Sequence, residues 1–181
     1  MLQVLKTPFS RNIKLWVLPI VFTLIFVKLI NSHIFIIAYI PSGSMESTIN
    51  IGDKVLCISS FLLDTPKQGD IVVFEPKAED SERASSDNYW IKRVIGTPGD
   101  KVRVLNGKVF INNEELQEDY VTFNSDYTGS FVVPKNKYLV FGDNRADSYD
   151  GRMWDNPYIS ESQIKYKAIY KVYPLHKFGK L

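Results

Sequence analysis

Ile40-Pro41-Ser42-Gly43-Ser44-Met45 stands where an apolar run ends and a long mixed segment begins, and the fold is read outward from it. Pro41 locks its own φ and biases Ile40 toward extended backbone, so a strand is expected to run up to it. Gly43 permits a tight turn with no side chain in the way of an approaching group. Alone, such a cluster is only a turn. Ser44 becomes a candidate nucleophile through a lysine far downstream.

Upstream, Leu15 to Val27 is apolar apart from Thr23, and Leu29 and Ile30 follow Lys28. Lys6, Arg11 and Lys14 precede this run, and no acidic residue occurs before Glu46. A membrane span needs about 20 apolar residues. Lys28 can snorkel to the interface, which extends the usable length to Ile30, and Trp16 suits an interfacial position. A cleavable signal peptide shares the basic start, yet no small-x-small site follows in Lys28 to Ile34. A buried core helix is the other alternative, at odds with the basic, acid-free flank. The expectation is an uncleaved single-pass anchor within residues 1–33, its basic end cytoplasmic and residues 34–181 outside.

The chain has 181 residues, 45% of them hydrophobic, enough for one domain plus an appendage. Its formal charge of +2 gives no argument for nucleic acid. With Cys57 as the single cysteine, an intramolecular disulfide and two-cysteine metal sites are excluded. In Val55-Leu56-Cys57-Ile58 it reads as a small buried hydrophobe.

Beyond Ser44 the signals are short strands between turns. Ile34 to Ile40 is β-branched and aromatic and reads as the strand delivering the Ser44 turn. Further strands are expected over Lys54 to Ser59, Ile71 to Phe74, Tyr89 to Ile95, Lys137 to Phe141 and Tyr166 to Tyr173. Lys77 to Asn88 is polar and serine-rich and reads as a mobile loop. Asn106-Gly107, between Lys101–Leu105 and Lys108–Ile111, is a strong hairpin signal. Gly142 to Pro157 is a long turn-rich segment. The expected fold class is mostly β, a sheet or barrel of roughly 145 residues.

In Tyr89-Trp90-Ile91-Lys92-Arg93-Val94-Ile95, alternation puts Trp90, Lys92 and Val94 on one face. If that face is inward, Lys92 is carried into apolar surroundings that penalise its charge. A drop of about three pKa units corresponds to about 4 kcal/mol against the ammonium. A neutral amine near neutral pH suits a general base, whereas an edge-strand lysine would simply reach into solvent. The two histidines, His33 beside the apolar run and His176 in the basic tail, sit in no comparable turn. The Ser-Lys form of nucleophile activation therefore fits better than Ser-His.

Three separated motifs make the chain resemble bacterial type I signal peptidases. Pro41-Ser42-Gly43-Ser44-Met45 is similar to their nucleophile box and Tyr89 to Asp100, with Lys92-Arg93 and Pro98-Gly99-Asp100, to their lysine box. Gly142-Asp143-Asn144-Arg145-Ala146-Asp147-Ser148-Tyr149-Asp150-Gly151-Arg152 is similar to their third box, and Gly69 to Phe74 to a further strand. The resemblance implies a catalytic β-domain with one N-terminal transmembrane helix and a reduced accessory region near residues 101–136. It implies Ser44 as nucleophile and Lys92 as base, with the Ser44 N–H and Ser42 hydroxyl as oxyanion donors. Ser148 would hydrogen-bond and aim the Lys92 amine, and Gly142 would leave room beside the lysine. Asp143, Arg145, Asp150 and Arg152 would brace the loop by ion pairs. The family cuts after small-x-small patterns, and Ile40, Met45, Trp90 and Ile91 are candidate pocket walls that are equally core candidates.

Departures from the family pattern are Ser47 for a usual proline, Gly151 for a serine before the arginine, and Trp90 for tyrosine. No metal or cofactor is implied; the partners are preprotein signal peptides and the lipid bilayer, and the place is the outer side of the bacterial plasma membrane. Two alternatives stay open. One is a peptidase of the same family dedicated to a conjugation or pilus precursor, the other a membrane-tethered β-domain without catalysis.

Overall fold

The computed structural model describes residues 16–24, 27, 34–76 and 89–181. The serine-rich stretch 77–88 and much of the expected anchor lie outside the described residues. Residues 16–24 are helical and exposed, and among the described residues no helix is long and apolar enough to cross a membrane.

Among the described residues, twelve strands form two antiparallel sheets. The larger sheet runs β1 (Phe35–Tyr39), β2 (Lys54–Ser59), β11 (Ile164–Tyr173), β3 (Ile71–Phe74), β4 (Trp90–Gly96), β9 (Lys137–Phe141) and β10 (Tyr158–Ser160), with β12 (Gly179–Lys180) also on β11. The smaller sheet runs β7 (Glu114–Glu115), β6 (Lys108–Ile111), β5 (Lys101–Leu105) and β8 (Gly129–Val132). The expected strands are present within a residue or two at each end. β7, β8, β10 and β12 were not expected; each has four residues or fewer.

Local chemistry accounts for the turns. Asn106 and Gly107 both have positive φ, 49° and 78°, as the two-residue turn joining β5 to β6 requires. Asn112 and Asn113 repeat the device at 51° and 76°, and it is this pair that folds β7 back on β6. β3 has all four residues buried and reads as a continuous apolar run because both its faces are covered. β5, in contrast, alternates exposed and buried residues, with Val102 and Val104 inward.

Three apolar clusters hold the domain. Ile40, Met45, Ile49, Val55, Cys57, Ile71, Val73 and Ala168 form the first, beneath the Ser44 turn. Val72, Phe74, Val94, Tyr138, Val140, Trp154, Ile159 and Ile164 form the second, on the other face of β3 and β4. The third, including Ile95, Val102, Leu139 and Phe141, joins the two sheets. Each fully buried Val, Leu, Ile or Phe contributes about 1.5–3 kcal/mol. Cys57 is fully buried as expected, and burial pushes its thiol up to about 12, so it stays protonated and inert.

Candidate active site

β1 delivers the Ser44 turn, and a short bond network fixes where it ends. Ile40 N–H donates to the Asp53 carbonyl at 3.1 Å, and Gly52 N–H donates to the Ile40 carbonyl at 2.9 Å. Within the turn, Glu46 N–H donates to Gly43 O and Ile49 N–H to Met45 O. Met45 and Ile49, one helical turn apart and fully buried, pin the loop into the first core cluster. Their burial leaves Ser44 half-buried and Ser42 exposed at the surface of the turn.

Lys92 reaches this turn from the middle of β4, where it lies opposite Val72 on β3. Its Nζ is 2.7 Å from Ser44 Oγ, and the residue is 6% exposed. Burial pulls the amine down from 10.5 to about 8. Asp150 and Asp143 act in the opposite direction and Arg152 reinforces the drop, but loss of hydration is the largest cause. Trp90 and Val94, which share the Lys92 face, are packed in the second cluster, so the inward orientation expected from alternation is present.

Two donors on the same turn are unengaged. Neither the Ser44 N–H nor the Ser42 hydroxyl bonds to any described residue, so both are free for an incoming oxygen. Asn144, which sequence reasoning did not single out, clamps the turn from behind. Its N–H donates to the Ser44 carbonyl at 3.2 Å, and its Nδ2 donates to the Gly43 carbonyl at 3.1 Å.

The third box wraps this arrangement. Gly142 is placed against the turn, and the three atoms nearest to a Cβ there belong to Ser148 and to the Ser44 carbonyl. The added atom would lie 2.6 Å from Ser148 Cβ and closer still to Ser148 Oγ and Ser44 O. Ser148 is buried, yet its Oγ has no hydrogen-bond partner among the described residues; the expected bond to the Lys92 amine is not made. Gly151 is also a packing requirement, since a Cβ there would meet the Pro157 carbonyl oxygen at 2.7 Å. This accounts for a glycine where the resemblance leads one to expect serine.

Asp143, Arg145, Asp150 and Arg152, the residues expected to brace this box, are buried, but only one pair closes within it. Arg152 Nε donates to Asp150 Oδ1 at 2.8 Å, and Asp150 Oδ2 accepts the Gly142 N–H at 2.8 Å. Asp143 instead pairs with Arg93, the neighbour of Lys92, through Nε at 2.8 Å and Nη2 at 2.7 Å. Thr48, from the nucleophile turn, donates to the same Asp143 at 2.5 Å. Arg145 pairs with Glu118, and its Nε donates to the Gly142 carbonyl at 3.0 Å. Arg93 also lies 3.9 Å over the Tyr120 ring. Sequence reasoning missed Arg93, Thr48, Glu118 and Asn144 as site-building residues, and only the adjacency of Arg93 to Lys92 hinted at one.

The candidate pocket residues divide. Ile40 and Met45 are core residues of the first cluster, with half-buried Ile91 packed against it. Trp90 points to the opposite face of β4 and contacts Phe74, Tyr149 and Trp154 with ring centroids 5.8–6.3 Å away. Ile40, Met45 and Ile91 thus share one apolar floor beneath the turn, and Trp90 is not part of it. Among the described residues no group of His, Cys, Asp and Glu could hold a metal ion.

The arrangement matches known proteins along most of its length. The family described as "Signal peptidase, peptidase S26" matches residues 13–173. Signal peptidase I of Leptolyngbya laminosa is 38% identical over 146 residues, covering 79% of this chain and 71% of that protein. Signal peptidase IB of Staphylococcus aureus (strain COL) is 30% identical over 189 residues, covering 93% of this chain and 94% of that protein. A crystal structure of a signal peptidase I from Enterococcus faecalis superposes with a TM-score of 0.44 at 28% identity, covering 56% of this chain and 95% of that one.

Proposed function

The chain belongs to the bacterial type I signal peptidases, peptidase family S26, and from that premise we propose that it removes N-terminal signal peptides from exported preproteins with a Ser44–Lys92 dyad. It is a serine endopeptidase. The observation that carries the dyad is the 2.7 Å separation of Lys92 Nζ and Ser44 Oγ at a site that disfavours the ammonium.

With the amine neutral, the bond between the two groups reverses. The Ser44 hydroxyl donates to the nitrogen lone pair, and Lys92 takes the proton as Oγ attacks the scissile carbonyl. The carbonyl oxygen becomes an oxyanion and moves into the free donors, the Ser44 N–H and the Ser42 hydroxyl. Each such donor contributes about 3 kcal/mol to the transition state. Lys92 then passes its proton to the departing amine, which is the new N-terminus of the mature protein. The acyl group stays on Ser44 until water, deprotonated by the same amine, releases it. Ser148 Oγ, buried beside Gly142 and without a partner among the described residues, is available to accept a hydrogen bond from the protonated Lys92 once the proton has left Ser44. Ile40, Met45 and Ile91 supply a floor that suits small side chains before the cut.

Residues 1–33 form the anchor and residues 34–181 the catalytic domain on the outer side of the plasma membrane. Two features support this reading. Trp16, Leu18, Ile20 and Leu24 are exposed along the helical residues 16–24, an arrangement unfavourable in water and suited to lipid. The outward side chains of β1, Phe35, Ile37 and Tyr39, are apolar or aromatic and exposed as well. In the experiment, preprotein, wild-type enzyme and Ser44→Ala are compared in sealed vesicles. The reading expects cleavage at a small-x-small site by wild type only, with the domain accessible from the outer face. Cleavage by Ser44→Ala would end it.

A further inference from the structure

Residues 118–125, between β7 and β8, belong to neither sheet, yet this strap touches all three motifs that build the site. On the lysine strand, the Arg93 guanidinium lies 3.9 Å from the centre of the Tyr120 ring. On the third box, Glu118 Oε2 accepts from Arg145 Nη1 at 2.9 Å, and the Phe123 carbonyl accepts the Ala146 N–H at 3.1 Å. Ser125 Oγ accepts from Arg152 Nη1 at 3.1 Å. The strap is also braced on itself: the Tyr120 hydroxyl donates to Glu118 Oε1 at 2.7 Å, and the Val121 N–H to the Glu118 carbonyl at 2.9 Å. Among the described residues its one hydrogen bond to the nucleophile turn joins Thr122 Oγ1 to Ser47 Oγ at 2.7 Å. Ser47 is exposed and makes no other hydrogen bond with the described residues.

We propose that Thr122 is a positioning residue: through Ser47 it ties the nucleophile turn to the strap, so that Ser44 Oγ stays in line with the Lys92 amine. The inference rests on the Ser44–Lys92 reading and deepens it. Ser47 lies three positions after the nucleophile, and Arg93 lies one after the base. A strap fastened to both refers the two halves of the dyad to one frame. Burial of Met45 and Ile49 holds the turn from below, and the Thr122 hydroxyl holds its exposed side. Position 47 is also where the resemblance leads one to expect proline, whose ring would fix the backbone directly. Serine gives up that constraint and supplies a hydroxyl, and the hydroxyl is the group the strap engages. Proton transfer and attack both depend on this alignment, and a displacement of about 1 Å can cost about a hundredfold in rate. A bond between two exposed hydroxyls adds little to global stability, so its loss is read in the rate rather than in the fold.

The test uses the full-length enzyme in detergent with one synthetic peptide that carries a small-x-small site. Thr122→Val keeps the side-chain shape and removes the hydroxyl; Ser47→Ala removes the other partner. Each should lower kcat about fivefold to tenfold with KM and the thermal midpoint unchanged. Combining them should cost no more than either alone, since both break the same bond. Thr122→Ser, which restores the hydroxyl, should recover wild-type kcat. The alkaline limb should stay near pH 8 in all of them, because the charges that act on Lys92 come from Asp150, Arg152 and Asp143. A wild-type kcat in Thr122→Val overturns the proposal, as do losses that multiply in the double variant. A rise in KM at constant kcat overturns it too, since Thr122 would then be touching substrate. Activity retained by Ser44→Ala would be a separate failure, that of the dyad, and the two results are read independently.

Discussion

Lys92 Nζ stands 2.7 Å from Ser44 Oγ although 48 positions separate the two residues in the chain. β4 carries the amine inward and the Met45–Ile49 anchor holds the hydroxyl in place to meet it. A charged amine there is unfavourable, and in the proposed dyad this governs both the pH dependence of activity and a cost in stability.

The activity consequence follows from the direction of the shift. Lys92 is lowered from 10.5 to about 8, so the neutral, proton-accepting form grows as pH rises through about 8. The rate of acylation should climb tenfold per pH unit below that value and level off above it. Steady-state cleavage from pH 6 to 10 checks this; a flat profile contradicts it.

Stability carries the same signature. Between about pH 8 and 10.5 the unfolded chain holds the lysine proton and the folded one does not, so folding stability from this group rises with pH across that window. Below pH 8 the burial costs about 3 kcal/mol. Lys92→Met should therefore be inactive yet more stable than wild type at pH 7, by up to that amount. Urea denaturation at pH 7 and pH 10 measures the difference, which should shrink at the higher pH.

Arg93 and Asp143 form a buried two-point pair that also receives Thr48 from the nucleophile turn. Removing one partner leaves an uncompensated charge, so Asp143→Ala should cost about 3–5 kcal/mol in chemical denaturation. Arg93→Lys keeps the charge but loses the forked geometry and should cost less. Equal losses for the two would argue against the two-point geometry.

Gly142 and Ser148 make opposite predictions. Gly142→Ala drives a methyl into the Ser44 carbonyl and Ser148, and should both destabilise the fold by about 1–3 kcal/mol and abolish efficient cleavage. Ser148→Ala removes a buried hydroxyl that has no partner among the described residues, so thermal stability should be unchanged or higher while kcat falls about tenfold. Loss of stability in Ser148→Ala would show that its hydroxyl serves the fold instead.

Much of this was legible in the chain. Asn106-Gly107 announced its hairpin because only a few residue types accept positive φ twice in succession. The inward face of β4 followed from Trp90 and Val94 flanking Lys92 at period two. What the sequence could not show were partners chosen by tertiary proximity. Asp143 and Arg145 looked equipped to pair within their own loop, yet Arg93 and Glu118, from β4 and the segment after β7, reach them first. β8 and β10 escaped notice because short strands gain their ladder bonds from neighbours rather than from their own pattern. Trp90 and Ile91, adjacent in sequence, could not both line one pocket, a consequence of alternation that the pocket expectation overlooked.

Cleavage of a preprotein by wild type and by Lys92→Ala at pH 9, with folding of both checked by circular dichroism, tests the dyad most directly. Wild type should release the mature protein, and Lys92→Ala, folded, should release none above background. Wild-type rates from the folded Lys92→Ala enzyme would mean that another group takes the Ser44 proton.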